Sequence, residues 1–346
     1  MSNLRFFRGS ILVTVLGIGA AFWVGGPQAA FIAFILSILE VSLSFDNAVV
    51  NATVLKNMDE VWRRRFLTWG MLIAVFGMRV VFPVLIVAVI AQIDPWTALK
   101  LAVGEPERYA ETLTSAHAVV AGFGGAFLMM VFLKFFIDKE KDVHWVRVIE
   151  APLSKLGKME AVEIAVCLAA VYLISTWLPP AKQLEFLLAS VAGVITYIVV
   201  DGFASLLESD DDEVDVGGHA TAAVAKTGLS GFLYLEVLDA SFSFDGVIGA
   251  FALSNNIFII AIGLGIGAMF VRSLTILFVE KGTLDQFRYL EHGAFYAIGA
   301  LATLMFVGTI QHVSEIITGL IGAGFIVLAL YSSIRHRRRI QAQAAT

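Results

Sequence analysis

The sequence predicts an all-α polytopic membrane protein of about ten transmembrane helices, organised around an inverted three-helix repeat. Three observations predict it. Of 346 residues, 58% are hydrophobic and 15% charged, the mean hydropathy is +0.83, and the apolar residues come in blocks long enough to cross a bilayer. An eight-residue motif occurs twice: Glu40-Val41-Ser42-Leu43-Ser44-Phe45-Asp46-Asn47 and Asp239-Ala240-Ser241-Phe242-Ser243-Phe244-Asp245-Gly246 place two acids, two serines and a phenylalanine at identical spacing. Finally, the basic residues gather in alternate loops.

Taken in order, the apolar blocks fall at about 10–26, 29–55, 66–92, 116–137, 161–178, 183–203, 228–253, 256–279, 293–312 and 315–334. Arg5 and Arg8 precede the first block as in a signal peptide, but no cleavage site follows, so a retained helix is expected. With the N-terminus inside, eighteen Lys and Arg fall in cytoplasmic segments, while the outer loops hold Lys100, Arg108 and Lys182. That bias supports ten helices with both ends inside. Residues 138–160 read as a cytoplasmic loop with an interfacial helix. The acidic run Glu208–Asp215 lacks calcium-loop spacing and reads as a solvated linker, and Arg335–Arg339 as an anchor beside anionic lipid. The domain reading is 1–28 for the N-terminal helix, 29–137 for the first repeat, 138–227 for the connecting segment, 228–312 for the second repeat, and 313–346 for the last helix and basic tail.

The repeat extends past the motif. Asp46 and Asp245 differ by 199 positions, Arg79 and Arg272 by 193, and the pairs His117/His292 and Gly124/Gly299 by 175. Loops shorten in the second copy while the order persists. Five helices separate each segment from its copy, and an odd number inverts direction across the membrane. Inverted repeats with a site near the midplane are common in secondary transporters.

Buried acids at mid-span cost roughly 2.5–3.5 kcal/mol each on insertion scales, so Glu40, Asp46, Asp239 and Asp245 must face the protein interior or a water-filled cavity. Arg79 and Arg272 balance part of that charge. With Glu236 counted the cluster stays negative, and a divalent cation is the natural partner. Glu40, Ser44, Asn47 and Asn51 recur at helical spacing, as do Glu236, Asp239 and Ser243. Asp46 falls about a third of a turn from Glu40, so a local unwinding at Ser-Phe-Asp would aim both at one ion and free backbone carbonyls as ligands. The candidate metal ligands are therefore Glu40, Asp46, Asp239 and Asp245, completed by Asn47, Glu236, Ser44 and Ser243. This all-oxygen set suits manganese, calcium or magnesium over zinc or copper, and the lone Cys167 adds no thiolate site. His117 and His292 read as capping or packing residues.

The two motifs resemble those of the TerC integral membrane proteins, specifically a long bacterial branch catalogued as a domain of unknown function. The resemblance covers residues 30–330 and implies a cytoplasmic-membrane protein linked by name to tellurium resistance, akin to LysE-type exporters, with manganese export in its better understood members. The second motif departs from the pattern, ending Asp-Gly-Val-Ile-Gly where many relatives have Asp-Ser-Ile-Pro. The expected function is divalent cation export, manganese first and calcium second, with proton antiport. The rival is a membrane scaffold or assembly factor that uses its acids to pair helices. No nucleophile–base pair and no nucleotide-binding motif occurs, so neither an enzyme nor an ATP-driven pump is expected. Expected partners are the divalent ion and the bilayer, with a second copy of the chain left open, and no cofactor or nucleic acid.

Overall fold

The computed structural model describes residues 4–70, 72–138, 143–159, 161–208, 228–251, 253–282, 286–311 and 313–344, and the described residues form helices with no strand. The acidic run beyond Glu208 and the basic residues at 139 and 141 lie outside them.

Helix α1 (Leu4–Leu43) runs for 40 residues but breaks at Gly25–Gly26. Gly26 takes φ 69° and ψ −161°, a conformation that only glycine adopts easily, and Pro27 follows. Both halves of α1 pack on α12 (Ile257–Glu280), in opposite directions. In the first half Arg5 pairs with Glu280 at 3.1 Å, the Ser10 hydroxyl donates to Met269 O at 2.7 Å, and Gly25 lies by Ile259. In the second half the contacts climb back, from Ala33 by Gly263 to Glu40 by Gly267. The chain therefore reverses at the Gly-Gly-Pro break. Gly263 and Gly267 are one turn apart, and a Cβ on them would lie 2.6 Å from Leu36 Cβ and 2.4 Å from Glu40 Cβ. This is the small-xxx-small spacing by which membrane helices bring their backbones close.

Ser44, at φ −104° and ψ 15°, interrupts the chain between α1 and α2 (Phe45–Asn57), putting Asp46 in the first turn of α2. Asp59 then caps α3 (Glu60–Arg65) by accepting from Trp62 N. Two π-helical stretches, Phe66–Gly70 and Ile73–Val81, lead into α4 (Phe82–Ile90), and Arg79 lies on the second. The chain next bends by 105° into α5 (Pro95–Gly104), which Asp94 caps, and α6 (Pro106–Ser115) follows.

Helix α7 (His117–Ile137) is the buried centre of the bundle. It packs against α10 (Pro180–Glu208) and α13 (Leu290–Gly308), with Phe135 stacked on Phe295 at 3.8 Å between ring centres. Helix α8 (Arg147–Leu156) covers one end of α7 and carries a fully buried acid, Glu150. Helices α9 (Val162–Trp177), α11 (Gly228–Phe251) and α14 (Glu315–Ala344) complete the fold. The first and last helices both reach the turn between α12 and α13, through Arg5–Glu280 and through the Ser333 hydroxyl, which accepts from Tyr289 N at 2.9 Å.

By length and apolarity six of the described helices could cross a membrane, or seven if the bent pair 76–104 is one span. Among the described residues this measure does not reproduce the expected ten. The first two expected blocks are the two halves of α1, which reverse at Gly25–Gly26; the third is interrupted by π-helix and a sharp bend, and the fifth is only 16 residues long as α9. Helix α11, long enough at 24 residues, carries Glu236, Asp239 and Asp245.

Candidate functional site

The two motif helices meet in a register that runs antiparallel. Asn47 Nδ2 donates to Asp239 Oδ1 at 2.8 Å, and Asn51 Nδ2, one turn on, donates to the same oxygen at 3.1 Å. Stepping seven residues back from Asn47 reaches Glu40, and seven forward from Asp239 reaches Gly246. There a Cβ on Gly246 would lie 3.1 Å from Glu40 Oε2. The glycine leaves room for the carboxylate where the other copy has an asparagine.

Each acid is held differently. Glu40 is 2% exposed, accepts from Arg79 Nη2, and accepts from the Ser44 hydroxyl at 2.9 Å. Arg79 also donates to Ala74 O, a carbonyl of the π-helical stretch, which keeps its guanidinium facing the motif. Arg272 instead donates through Nε to Leu67 O at 3.0 Å, and no described carboxylate forms an ion pair with it. Asp46 accepts from Asn47 N at 2.9 Å, and its other oxygen faces Gly322 of α14. Glu236 is buried against Gly70, and neither of its oxygens has a hydrogen-bond partner. The side chain of Asp245 lies outside the described part of the structure.

Two cavities adjoin the motifs. The inner one, about 20 Å³, is lined by Ser44, Asn47, Asn51, Arg79, Asp239 and Ser243, with Phe242 and Thr275 in its wall. That is room for about one water-sized occupant. Three of its polar atoms, Asn47 Oδ1, Asn51 Oδ1 and Ser243 Oγ, are buried without a hydrogen-bond partner. The outer cavity, about 310 Å³, has Asp46 and Gly246 on its inner wall and Thr114, His117, Lys182, Thr309 and Gln311 toward its mouth.

The candidate ligands are thus divided. Asn47, Ser44, Asp239 and Ser243 share the inner cavity, Asp46 faces the outer one, and Glu40 is paired with Arg79. No three His, Cys, Asp or Glu side chains among the described residues converge on one ion position. The expected unwinding is confined to Ser44. Ser44 N still donates to Glu40 O at 2.9 Å and Ala48 N to Ser44 O at 3.2 Å, and the second motif is continuous helix through Gly246. Asn51 belongs to the site although the ligand list omitted it. Its place in the stripe 40-44-47-51 was the signal. Phe242, in the wall of both cavities, gave none, because a phenylalanine in an apolar run reads as core.

A second polar cluster lies away from the motifs. Glu150 accepts from Trp145 N and Val146 N at 3.2 and 3.0 Å and from the Tyr296 hydroxyl at 3.3 Å. His144 Nδ1 and His292 Nε2 lie 3.6 and 3.5 Å from its other oxygen. His292 therefore sits in a built cluster beside α8, and His117 stands at the mouth of the outer cavity.

Apolar helices of crossing length around a buried, charge-bearing polar site define a helical membrane protein. Within that class the chain belongs to the family described as "Protein of unknown function (DUF475)", which matches residues 45–340. It is also similar to "Uncharacterized membrane protein YceF" of Bacillus subtilis (strain 168), 28% identical over 114 residues. That match covers 32% of this chain and 43% of the relative. No solved structure matches the chain.

Proposed function

We propose that this protein carries a divalent metal cation across the cytoplasmic membrane, with Asp239 as the anchoring carboxylate of the transported ion. One observation carries the reading. Acceptor oxygens from two helices, Asn47 Oδ1, Asn51 Oδ1 and Ser243 Oγ, stand unpaired around a cavity of about 20 Å³ beside the Asp239 carboxylate. Buried acceptors without donors are costly; a single water donates to two of them, whereas one cation is ligated by all three oxygens and the carboxylate at once.

The charge count agrees. Arg79 is neutralised by Glu40, which leaves Asp239 and Glu236, three residues apart on α11, with no described cation within ion-pair distance. Asp239 lines the inner cavity and Glu236 lies one turn away outside it, and this concentration of negative charge favours a doubly charged ion. With oxygen donors only, the ion is hard: manganese first, calcium second. Departure of the metal would leave the carboxylates to take up protons, which supports proton antiport.

The register of Asn47 with Asp239 and of Gly246 with Glu40 supports an inverted repeat. Under the alignment of the two motifs, Asn47 corresponds to Gly246 and Asp239 to Glu40, so each contact is the other's symmetry image. The excess of basic residues at the end shared by α1, α14 and the α12–α13 turn supports placing both termini in the cytoplasm. The motif resemblance to TerC proteins favours the outward direction.

The test is manganese uptake into inverted vesicles containing the purified protein. Uptake above protein-free vesicles, lost in Asp239→Asn, is expected. If Asp239→Asn transports as the parent does, or if neither takes up manganese or calcium, the proposal fails. A scaffold would leave both ions untouched.

A further inference from the structure

Phe242 lies in the wall of both cavities and is 8% exposed. On its inner side are Asp239, Asn47, Asn51 and Ser243, and on its outer side are Asp46 and Gly246. The outer cavity reaches exposed residues at its mouth, including Lys182 and Gln311, whereas every residue lining the inner one is buried. We infer that the Phe242 ring is the septum that closes the inner ion chamber from the outer vestibule, so that Asp239 and Asp46 are successive stations on one path. This deepens the proposed function and rests on it for the identity of the traveller.

Two features suit Phe242 to that task. An aromatic ring turns about two torsions, so it opens and closes without moving the helix that carries it. The vestibule, about 310 Å³, leaves room for the ring to swing outward, whereas the inner chamber, about 20 Å³, gives it none inward. Asp46 then has a role that its position outside the inner chamber otherwise leaves unexplained. It receives the ion after the ring has moved, on the vestibule side, where hydration is restored.

The test needs no metal. Thr275 lines the inner chamber, is 1% exposed and is outside the proposed ligands. In Thr275→Cys, reaction with a small, charged thiol reagent reports access to that chamber. The parent chain, whose single thiol Cys167 is fully buried, sets the background. Replacing Phe242 by Trp, Leu and Ala should grade the rate by ring size, with Ala at least tenfold faster than Phe and Trp no faster. Leu304→Trp, which narrows the vestibule, should slow the Ala variant again. The Leu variant keeps the series readable if Ala fails to fold. Rates that ignore residue 242, or that ignore Leu304→Trp, overturn the septum. A graded series with no manganese or calcium uptake in vesicles would keep the septum and sink the transport reading alone.

Discussion

Asn47 and Asp239 stand 192 residues apart and are joined by a 2.8 Å hydrogen bond between an amide and a buried carboxylate. Asn51 donates to the same oxygen, so one acceptor carries two donors. Interhelical hydrogen bonds in membrane proteins average only about 0.6 kcal/mol, but a charged acceptor raises that to roughly 1.5–3 kcal/mol. In detergent unfolding, Asn47→Ala should therefore lose about 1.5 kcal/mol, and Asn51→Ala somewhat less. The double variant should lose more than the sum, because each amide covers for the other until both are gone. Simple additivity would mean that the two amides do not serve one acceptor.

The ion pair of Glu40 with Arg79 is buried at both ends, at 2% and 7% exposure. Removing one partner of such a pair leaves an uncompensated charge and costs roughly 3–5 kcal/mol, whereas replacing both by neutral groups is often tolerated. Arg79→Ala should accordingly fall below Glu40→Gln/Arg79→Met in thermal unfolding. A double variant as unstable as the single one would show that Arg79 matters through packing and its bond to Ala74 O, not through charge.

Much of the site could be read from the sequence, and the reasons it could not be read fully are physical. Acids in apolar runs are costly wherever they occur, so Glu40, Asp46 and Asp239 stood out, and the repeat of the motif pointed to the meeting of the two copies that Asn47 and Asp239 make. Periodicity placed Asn51 beside Asn47 in the same way. Which acid each arginine meets was not legible, because Arg79 and Arg272 occupy equivalent places in the chain while π-helical winding around Arg79 turns only that one onto Glu40. The reversal at Gly25–Gly26 was visible as a gap between two apolar blocks. Close packing of α12 through Gly263 and Gly267 was not, since glycine spacing alone does not name the helix that fills it. Glu150 read as part of a cytoplasmic loop with an interfacial helix because the residues that bury it, Tyr296 and His292, lie in a distant helix.

A pair of glycine substitutions separates close packing from helix propensity. On Gly267 a Cβ would fall 2.4 Å from Glu40 Cβ and 2.9 Å from Ser37 O, and neither neighbour is the free end of a flexible side chain. Gly267→Ala should cost about 1–3 kcal/mol by overpacking and disturb Glu40 with it. On Gly324, within α14, a Cβ meets nothing within 4 Å. Gly324→Ala should gain about 0.5–1 kcal/mol from the lower backbone entropy of alanine. Equal shifts for the two in unfolding midpoints would contradict the contact of α12 with α1.

Glu150 ties the α7–α8 connection to α13 through one carboxylate that accepts from two backbone N–H groups and a tyrosine hydroxyl. Glu150→Gln replaces one accepting oxygen with a donor facing donors. The loss should be about 1.5–3 kcal/mol, concentrated locally. Hydrogen exchange of the peptides spanning 143–158 should rise at least tenfold while those of α7 stay protected. Uniform change across both would make Glu150 a determinant of global stability and not a latch for α8.

Metal addition tests the inner chamber without any transport measurement. A ligand that binds only the folded state stabilises it by about 2.7 kcal/mol at a free concentration one hundred times its dissociation constant. Manganese should therefore raise the unfolding midpoint of the parent in a concentration-dependent way, calcium less so, and a chelator should reverse the rise. Asp239→Asn removes the carboxylate but keeps the volume, and should abolish the shift. Asp46→Asn should retain most of it, because Asp46 faces the vestibule, about which the inner chamber's oxygens are not arranged. If Asp46→Asn loses the shift while Asp239→Asn keeps it, the anchoring carboxylate has been assigned to the wrong cavity.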